Sequence, residues 1–334
     1  MSRRERTTAL PRPKRREIVD TRPRYLGVPI GEGVVRLGIL GGVTALLVLV
    51  LGLIGWNWYS DNFRRPNEAI LKVGSERVKL SYYADRMALF FQSNPNESAT
   101  INAENLLRQL EQEALTLLVA GSAGITISDD EVTSAIAESL GVPVGGPGSS
   151  FDTLYRNRLK TLAMDDSTYR RMTKAAVASE KLTERYKQEI GDKGELVTVR
   201  SILVDSKEKA EELLGRIKNG EDMGTLAQME SADLTSRQQD GMMLPTAPAL
   251  MPKAIQDAIA GKGEGELLGP VEVQQYWWLF RIEERDPAGV YDEPDKEQLA
   301  QIKLSEAIQA MRSQTTITRS LSASDIDWAL ENAQ

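Results

Sequence analysis

The longest unbroken feature of the chain is apolar. The run "LGILGGVTALLVLVLGLIGW", residues 37–56, is twenty residues without a charge. As a helix that length crosses about 30 Å of hydrocarbon. Trp56, Trp58 and Tyr59 stand at its end, where an interfacial aromatic belt belongs. The pattern predicts a membrane-spanning helix over 34–59. A cleaved signal peptide would have a shorter apolar core and a small-residue cleavage site. The exit "WNWYSDNFRRP" offers no such site. A buried helix of a soluble protein is seldom apolar all round. Gly38 and Gly42 form a GxxxG spacing that can pair two anchors. Alone that spacing is weak and helix flexibility or chance accounts for it better, so a homodimer is left only as an open alternative.

Beyond residue 60 the periodicity changes. In "AILKVGSERVKLS", Ala69–Val73 and Arg77–Leu80 flank Gly74-Ser75 and predict a hairpin. Ser81 can cap a helix through Phe91, and "SNPNESATINAE" then reads as a loop. Leu107, Leu110, Ala114, Leu117 and Leu118 mark an amphipathic helix that closes near Gly121 and Gly124. Ser128 and Glu131 form a capping box with acids in the first turn. That helix ends at Gly141. Phe151, Leu154, Tyr155, Leu159 and Leu162 carry another, and a long one follows from Ser167 to Ile190. Residues 66–195 therefore predict a mostly helical domain. Its scattered carboxylates read as solvated helix faces.

At "VTVRSILVDS", residues 197–206, the period becomes two. Val197, Val199, Ser201 and Leu203 fall on one face of a strand, with Thr198, Arg200, Ile202 and Val204 on the other. Ser206 caps a helix with Ala210, Leu213, Leu214 and Ile217 on one side, stopped by Asn219-Gly220. A shorter helix carries Met223, Leu226, Ala227 and Met229, and a third covers Pro252–Ala260. Leu267–Val273 and Trp277–Glu284 read as two more strands. This order predicts an α+β domain with an antiparallel sheet over 196–287. Pro294 opens a last amphipathic helix with Leu299, Ile302, Ile308 and Met311. Residues 292–314 are assigned back to the helical domain, and 315–334 to a C-terminal tail.

Composition narrows the chemistry. Among 334 residues there is no histidine and no cysteine. That removes the commonest general base, thiolate nucleophiles and the usual zinc and copper ligands. No metal or other cofactor is expected. Residues 1–36 hold ten Lys/Arg against four Asp/Glu, and the remainder holds 31 against 44. A body at net −13 excludes nucleic acid as its partner. The basic tail, residues 1–33, reads as disordered. The positive-inside rule puts it in the cytoplasm and everything after residue 60 outside, as in a single-pass plasma-membrane protein.

Two stretches of the helical domain, "KVGSERVKLSYYADRM" and "LLRQLEQEALTLLVAGSAGITISDDEV", resemble the N-terminal region of the SurA/PrsA/PpiD-type extracytoplasmic foldases. The run from 196 to 287 resembles a parvulin-type (PpiC-like) peptidyl-prolyl isomerase domain. The family's opening strand, Arg-His-Ile-Leu-Val, is here Arg200-Ser201-Ile202-Leu203-Val204. Its Lys-x-Gly-x-x-Phe-x-x-Leu-Ala corresponds to Lys218 through Ala227, and its Ser-x-Asp to Ser231-Ala232-Asp233. Its glycine turn corresponds to Gly241-Met242-Met243-Leu244-Pro245, and its closing strand to Trp277 through Ile282. Together these cover residues 66–313. They imply a transmembrane helix, a SurA-N-like helical chaperone domain and an α+β parvulin domain with an antiparallel sheet.

The departures fall on the site. Both family histidines are replaced, by Ser201 and Trp278, a turn glycine is Met242, and the pocket aromatic is Ile255. Asp233 remains as the candidate catalytic residue, with Leu244, Met251, Ile255 and Trp278 as candidate substrate contacts. Prolyl isomerisation makes no covalent bond. A site lowers a barrier of about 18–20 kcal/mol by binding the twisted amide better than the planar one. The resemblance implies a membrane-anchored chaperone for unfolded or newly exported polypeptides, with an inactive or weak isomerase domain. The alternatives are an active isomerase and a structural subunit of a membrane complex.

Overall fold

The computed structural model describes residues 24–25, 28–29, 32–93 and 98–332. They fall into two units, divided after Pro66. In the first, two-residue strands β1 (Arg24–Tyr25) and β2 (Val28–Pro29) pair antiparallel. Helix α1 (Glu32–Tyr59) follows, and from Leu37 to Tyr59 its large apolar side chains are exposed. It is long and apolar enough to cross a membrane. The rings of Trp58 and Tyr59 meet Phe63 at 5.4 and 5.9 Å. Of the tail expected to be disordered over 1–33, residues 1–23, 26–27 and 30–31 lie outside the described residues.

The second unit opens with the hairpin β3 (Ala69–Val73) and β4 (Glu76–Lys79). Helices α2 (Leu80–Ser93), α3 (Ala99–Ser122), α4 (Asp129–Ser139), α5 (Ser150–Leu162) and α6 (Asp166–Ile190) follow. The helix over α3 starts earlier than its apolar stripe suggested, because Ser98 caps it by accepting from the Ile101 N–H. The Ser128–Glu131 capping box forms in both directions. The core is built from Ile70, Leu71, Tyr83, Leu106, Leu110 and Leu182, all within 1% of full burial. Burial of each such side chain contributes roughly 1.5–3 kcal/mol.

The chain returns to this lobe at its C-terminal end. Helix α11 (Glu293–Gln314) packs on α6 and α3. Residues 315–334, expected to be a tail, are folded as far as they are described. Strand β8 (Ile317–Arg319) pairs with β3, giving the order β4-β3-β8. Helix α12 (Ala323–Asn332) then packs on α2, burying Ala329. A carboxylate anchors this return. Glu111 on α3 is 1% exposed and meets Arg312 at 3.3 Å and Arg319 at 2.6 Å.

The α+β lobe is a three-stranded antiparallel sheet, β5 (Lys193–Val204), β7 (Tyr276–Val290) and β6 (Leu267–Val273), with β7 central. Strand β7 outruns the expected Glu284 because it stays paired with the start of β5, down to Lys193 opposite Val290. Both strands thus leave the sheet as a paired ribbon. Helices α7 (Lys207–Lys218) and α8 (Met223–Glu230) cover one face through Ile202, Val204 and Leu279. Helix α10 (Lys253–Ile259) sits on the other, over Val197, Val199, Phe280 and Ile282.

Candidate functional site

The face of the sheet under α10 gathers most of the expected site. Ser201 lies opposite Phe280, and Leu203 opposite Trp278. Trp278 stacks on Phe280, with centroids 5.6 Å apart and planes 8° from parallel. Met243, Met251, Val271 and Trp278 pack around the buried core of this face and stay partly exposed. The result is an apolar surface floored by two stacked aromatic rings.

The expected residues have different fates on it. Ser201 is fully buried; its N–H donates to the Gly241 carbonyl at 2.8 Å, and its hydroxyl has no partner. Asp233 is the N-cap of the short helix α9 (Leu234–Arg237). Its carboxylate accepts from the Thr235 N–H at 3.1 Å, the Ser236 N–H at 3.4 Å and the Ser236 hydroxyl at 2.5 Å. Ile255 is 5% exposed and belongs to the core beneath the face, so it is a support for the surface and not a contact on it. Leu244 is 77% exposed and stands out from the loop. Phe280 and Met243 were not singled out from sequence. Phe280 was legible as the next same-face residue after Trp278 on a strand of period two.

That loop runs along the free side of β5. Gly241 and Met243 bond to Ser201 and Val199, and Thr246 bonds twice to Val197. It starts with two left-handed residues, Asp240 at φ 57° and Gly241 at φ 79°. A Cβ on Gly241 would fall 2.5 Å from the Ser201 carbonyl oxygen, so only glycine fits there. Behind the sheet, Arg200 and Arg281 face each other across β5 and β7, an arrangement that is repulsive by itself. Glu283 resolves it by accepting from Arg200 at 2.8 Å and from Arg281 at 2.9 Å. Burial would raise the Glu283 carboxyl, but these two guanidinium groups outweigh it and hold the group below its ordinary value.

Chemically, this face offers shape and apolar area. The hydroxyl at position 201 is sealed from solvent, and the Asp233 carboxylate already holds three donors. Ser201→Ala removes a buried hydroxyl that has no partner. It is expected to leave stability unchanged or raise it by about 1 kcal/mol, read from urea denaturation. A loss of stability would show that the hydroxyl has a partner after all. In the helical lobe, α2, α3, α6 and α11 line an open concavity of about 520 Å³. Leu89, Met172, Leu304 and Ile308 line it with the amides of Gln112 and Gln301. Its one buried cation, Arg86, is neutralised by Glu113 at 2.8 Å.

Residues 38–183 match the family described as SurA-like N-terminal domain, and residues 199–284 match the PPIC-type PPIASE domain. The foldase protein PrsA 4 of Bacillus cereus is 24% identical over 202 residues, covering 58% of this chain and 68% of that protein. The foldase protein PrsA 3 of the same species is 24% identical over 170 residues, covering 50% of this chain and 58% of that protein. Among solved structures, the peptidylprolyl isomerase PrsA of Bacillus anthracis aligns with 62% of this chain and 96% of its own, at 17% identity and a TM-score of 0.44.

Proposed function

We propose that this chain, a SurA/PrsA-type foldase by its pair of domains, is a membrane-anchored extracytoplasmic chaperone. It holds unfolded or newly exported polypeptides, and its parvulin-like lobe acts by binding and not by isomerisation. The observation that carries this reading is the state of the site. The first histidine position holds a sealed serine, the second a tryptophan stacked on Phe280, and Asp233 is occupied as a helix cap. A rate enhancement needs groups that favour the twisted amide over the planar one. An apolar face eases rotation only by desolvating the amide, and it offers no free polar group that would select the twisted form. The anchor rests on α1, whose all-round apolar surface suits lipid and not water. The basic residues before it favour an orientation with the lobes outside the cytoplasm.

The test uses the full chain in detergent micelles. Aggregation of an unfolded client is expected to be suppressed at near-equimolar chain. The protease-coupled isomerase rate is expected to equal the uncatalysed one. A rate above background that Asp233→Ala removes would establish an active isomerase instead. Recovery from membranes in fixed stoichiometry with one partner, without aggregation suppression, would establish a structural subunit.

A further inference from the structure

We infer that Arg200 is a positioning residue, which sets the loop Asp240–Thr246 so that Met243 and Leu244 form the rim of the client-binding face. The inference rests on the reading of that face given above. Arg200 lies behind the sheet, on the side of α7 and α8, and does not itself reach the apolar surface. Its Nη1 donates to the Asp240 carbonyl, while its Nε is held by Glu283 at 2.8 Å. Asp240 is one of three non-glycine residues with positive φ among those described. Left-handed backbone costs about 1–3 kcal/mol and persists only where its surroundings impose it. The turn is closed by the Met242 N–H on the Gln239 carbonyl at 2.9 Å and the Gly241 N–H on the Ser236 carbonyl at 2.8 Å; from outside it, the Arg200 guanidinium holds the Asp240 carbonyl and the Gln228 amide the Asp240 carboxylate. From that point the loop is laid along β5 by Gly241 on Ser201 and Met243 on Val199.

The path of the guanidinium is cut into α8. A Cβ on Gly224 would stand 2.9 Å from Arg200 Nη1 and 3.0 Å from the Asp240 Cβ. Gly224 is the second residue of α8, in the first turn beside the Asp222 cap. The close approach of Arg200 is a reason for a glycine there. One fork of a guanidinium thus joins three parts: the strand pair through Glu283, the helix notch at Gly224, and the left-handed entry of the loop. An ammonium at position 200 lacks the planar fork with which one guanidinium serves both acceptors.

The experiment measures binding of a fluorescein-labelled, carboxymethylated and permanently unfolded protein to the full chain in micelles. Hydrogen exchange is followed at Met243 and Thr246, the loop amides bonded to β5. Arg200→Ala is expected to weaken binding about tenfold by releasing the preorganised rim. Exchange should quicken at those two amides and stay unchanged in β7. Gly224→Ala keeps the arginine but crowds the flexible end of its side chain at Nη1, and should reproduce both effects more weakly. Arg200→Lys should fall between. Leu244→Asp serves as the contact control and should weaken binding without altering exchange. If the unaltered chain does not bind, or Leu244→Asp changes nothing, the reading of the face has failed. If Leu244→Asp weakens binding while Arg200→Ala and Gly224→Ala change neither affinity nor exchange, the positioning role has failed. Faster exchange throughout β7 in Arg200→Ala would reduce Arg200 to a support of the sheet and also overturn it.

Discussion

The double substitution Arg312→Ala/Arg319→Ala is expected to cost the helical lobe about 3–5 kcal/mol, because it strands a buried carboxylate. Glu111 is 1% exposed, whereas Arg312 and Arg319 are partly solvated and reach inward to it. The Arg319 guanidinium donates twice to one oxygen, at 2.8 and 2.6 Å, and Arg312 holds the other oxygen. With both cations gone, the carboxylate keeps its desolvation and loses its compensation. The two arginines come from α11 and β8, so the loss should first free the C-terminal return. Hydrogen exchange should rise in β8 and α12 before α3 and α6 respond. Adding Glu111→Leu to the double variant should recover most of the loss, since no charge is then left inside. A cost under about 1 kcal/mol in urea denaturation, the range of surface ion pairs, would show that Glu111 is hydrated in solution.

The same C-terminal segment marks the boundary of what the chain discloses by its pattern. Alternation at 197–204 predicts both faces of β5, and the structure puts Val197 and Val199 in one cluster and Ile202 and Val204 in the other. The Ser128–Glu131 cap is local chemistry and is equally legible. Strand β8 is not, because three residues have no period. Its existence depends on β3, far back in the chain. The site divides along the same line. That position 201 carries serine where a histidine is expected is plain in the sequence. That its hydroxyl is buried without a partner follows only from the packed structure. Asp233 as a cap was legible as a turn residue, since Ser-x-Asp before a short helix satisfies backbone donors. The outward stance of Leu244 depends on two left-handed residues, only one of which is a glycine.

Phe280→Ala should be the most damaging single change in the parvulin-like lobe, costing about 3–5 kcal/mol. The ring is fully buried at the centre of the sheet, lies opposite Ser201 and is the platform on which Trp278 stacks. Truncation opens a cavity in the floor of the apolar face and removes the stacking contribution, about 0.5–1.5 kcal/mol beyond area burial. The helical lobe has its own cores, built from other residues. Denaturation should therefore split into two steps, with amides of β5 and β7 exchanging early and those of α3 and α6 unchanged. Phe280→Leu, which fills most of the volume, should cost less than half as much. A single unsplit transition would show that the lobes fold as one cooperative body. Under the holding role proposed above, the variant also decides which lobe carries it. With the face collapsed and the helical lobe intact, aggregation suppression should fall but not vanish, because the cleft between α3 and α11 remains. Complete loss would assign holding to the sheet face alone, and no loss would assign it to the helical cleft.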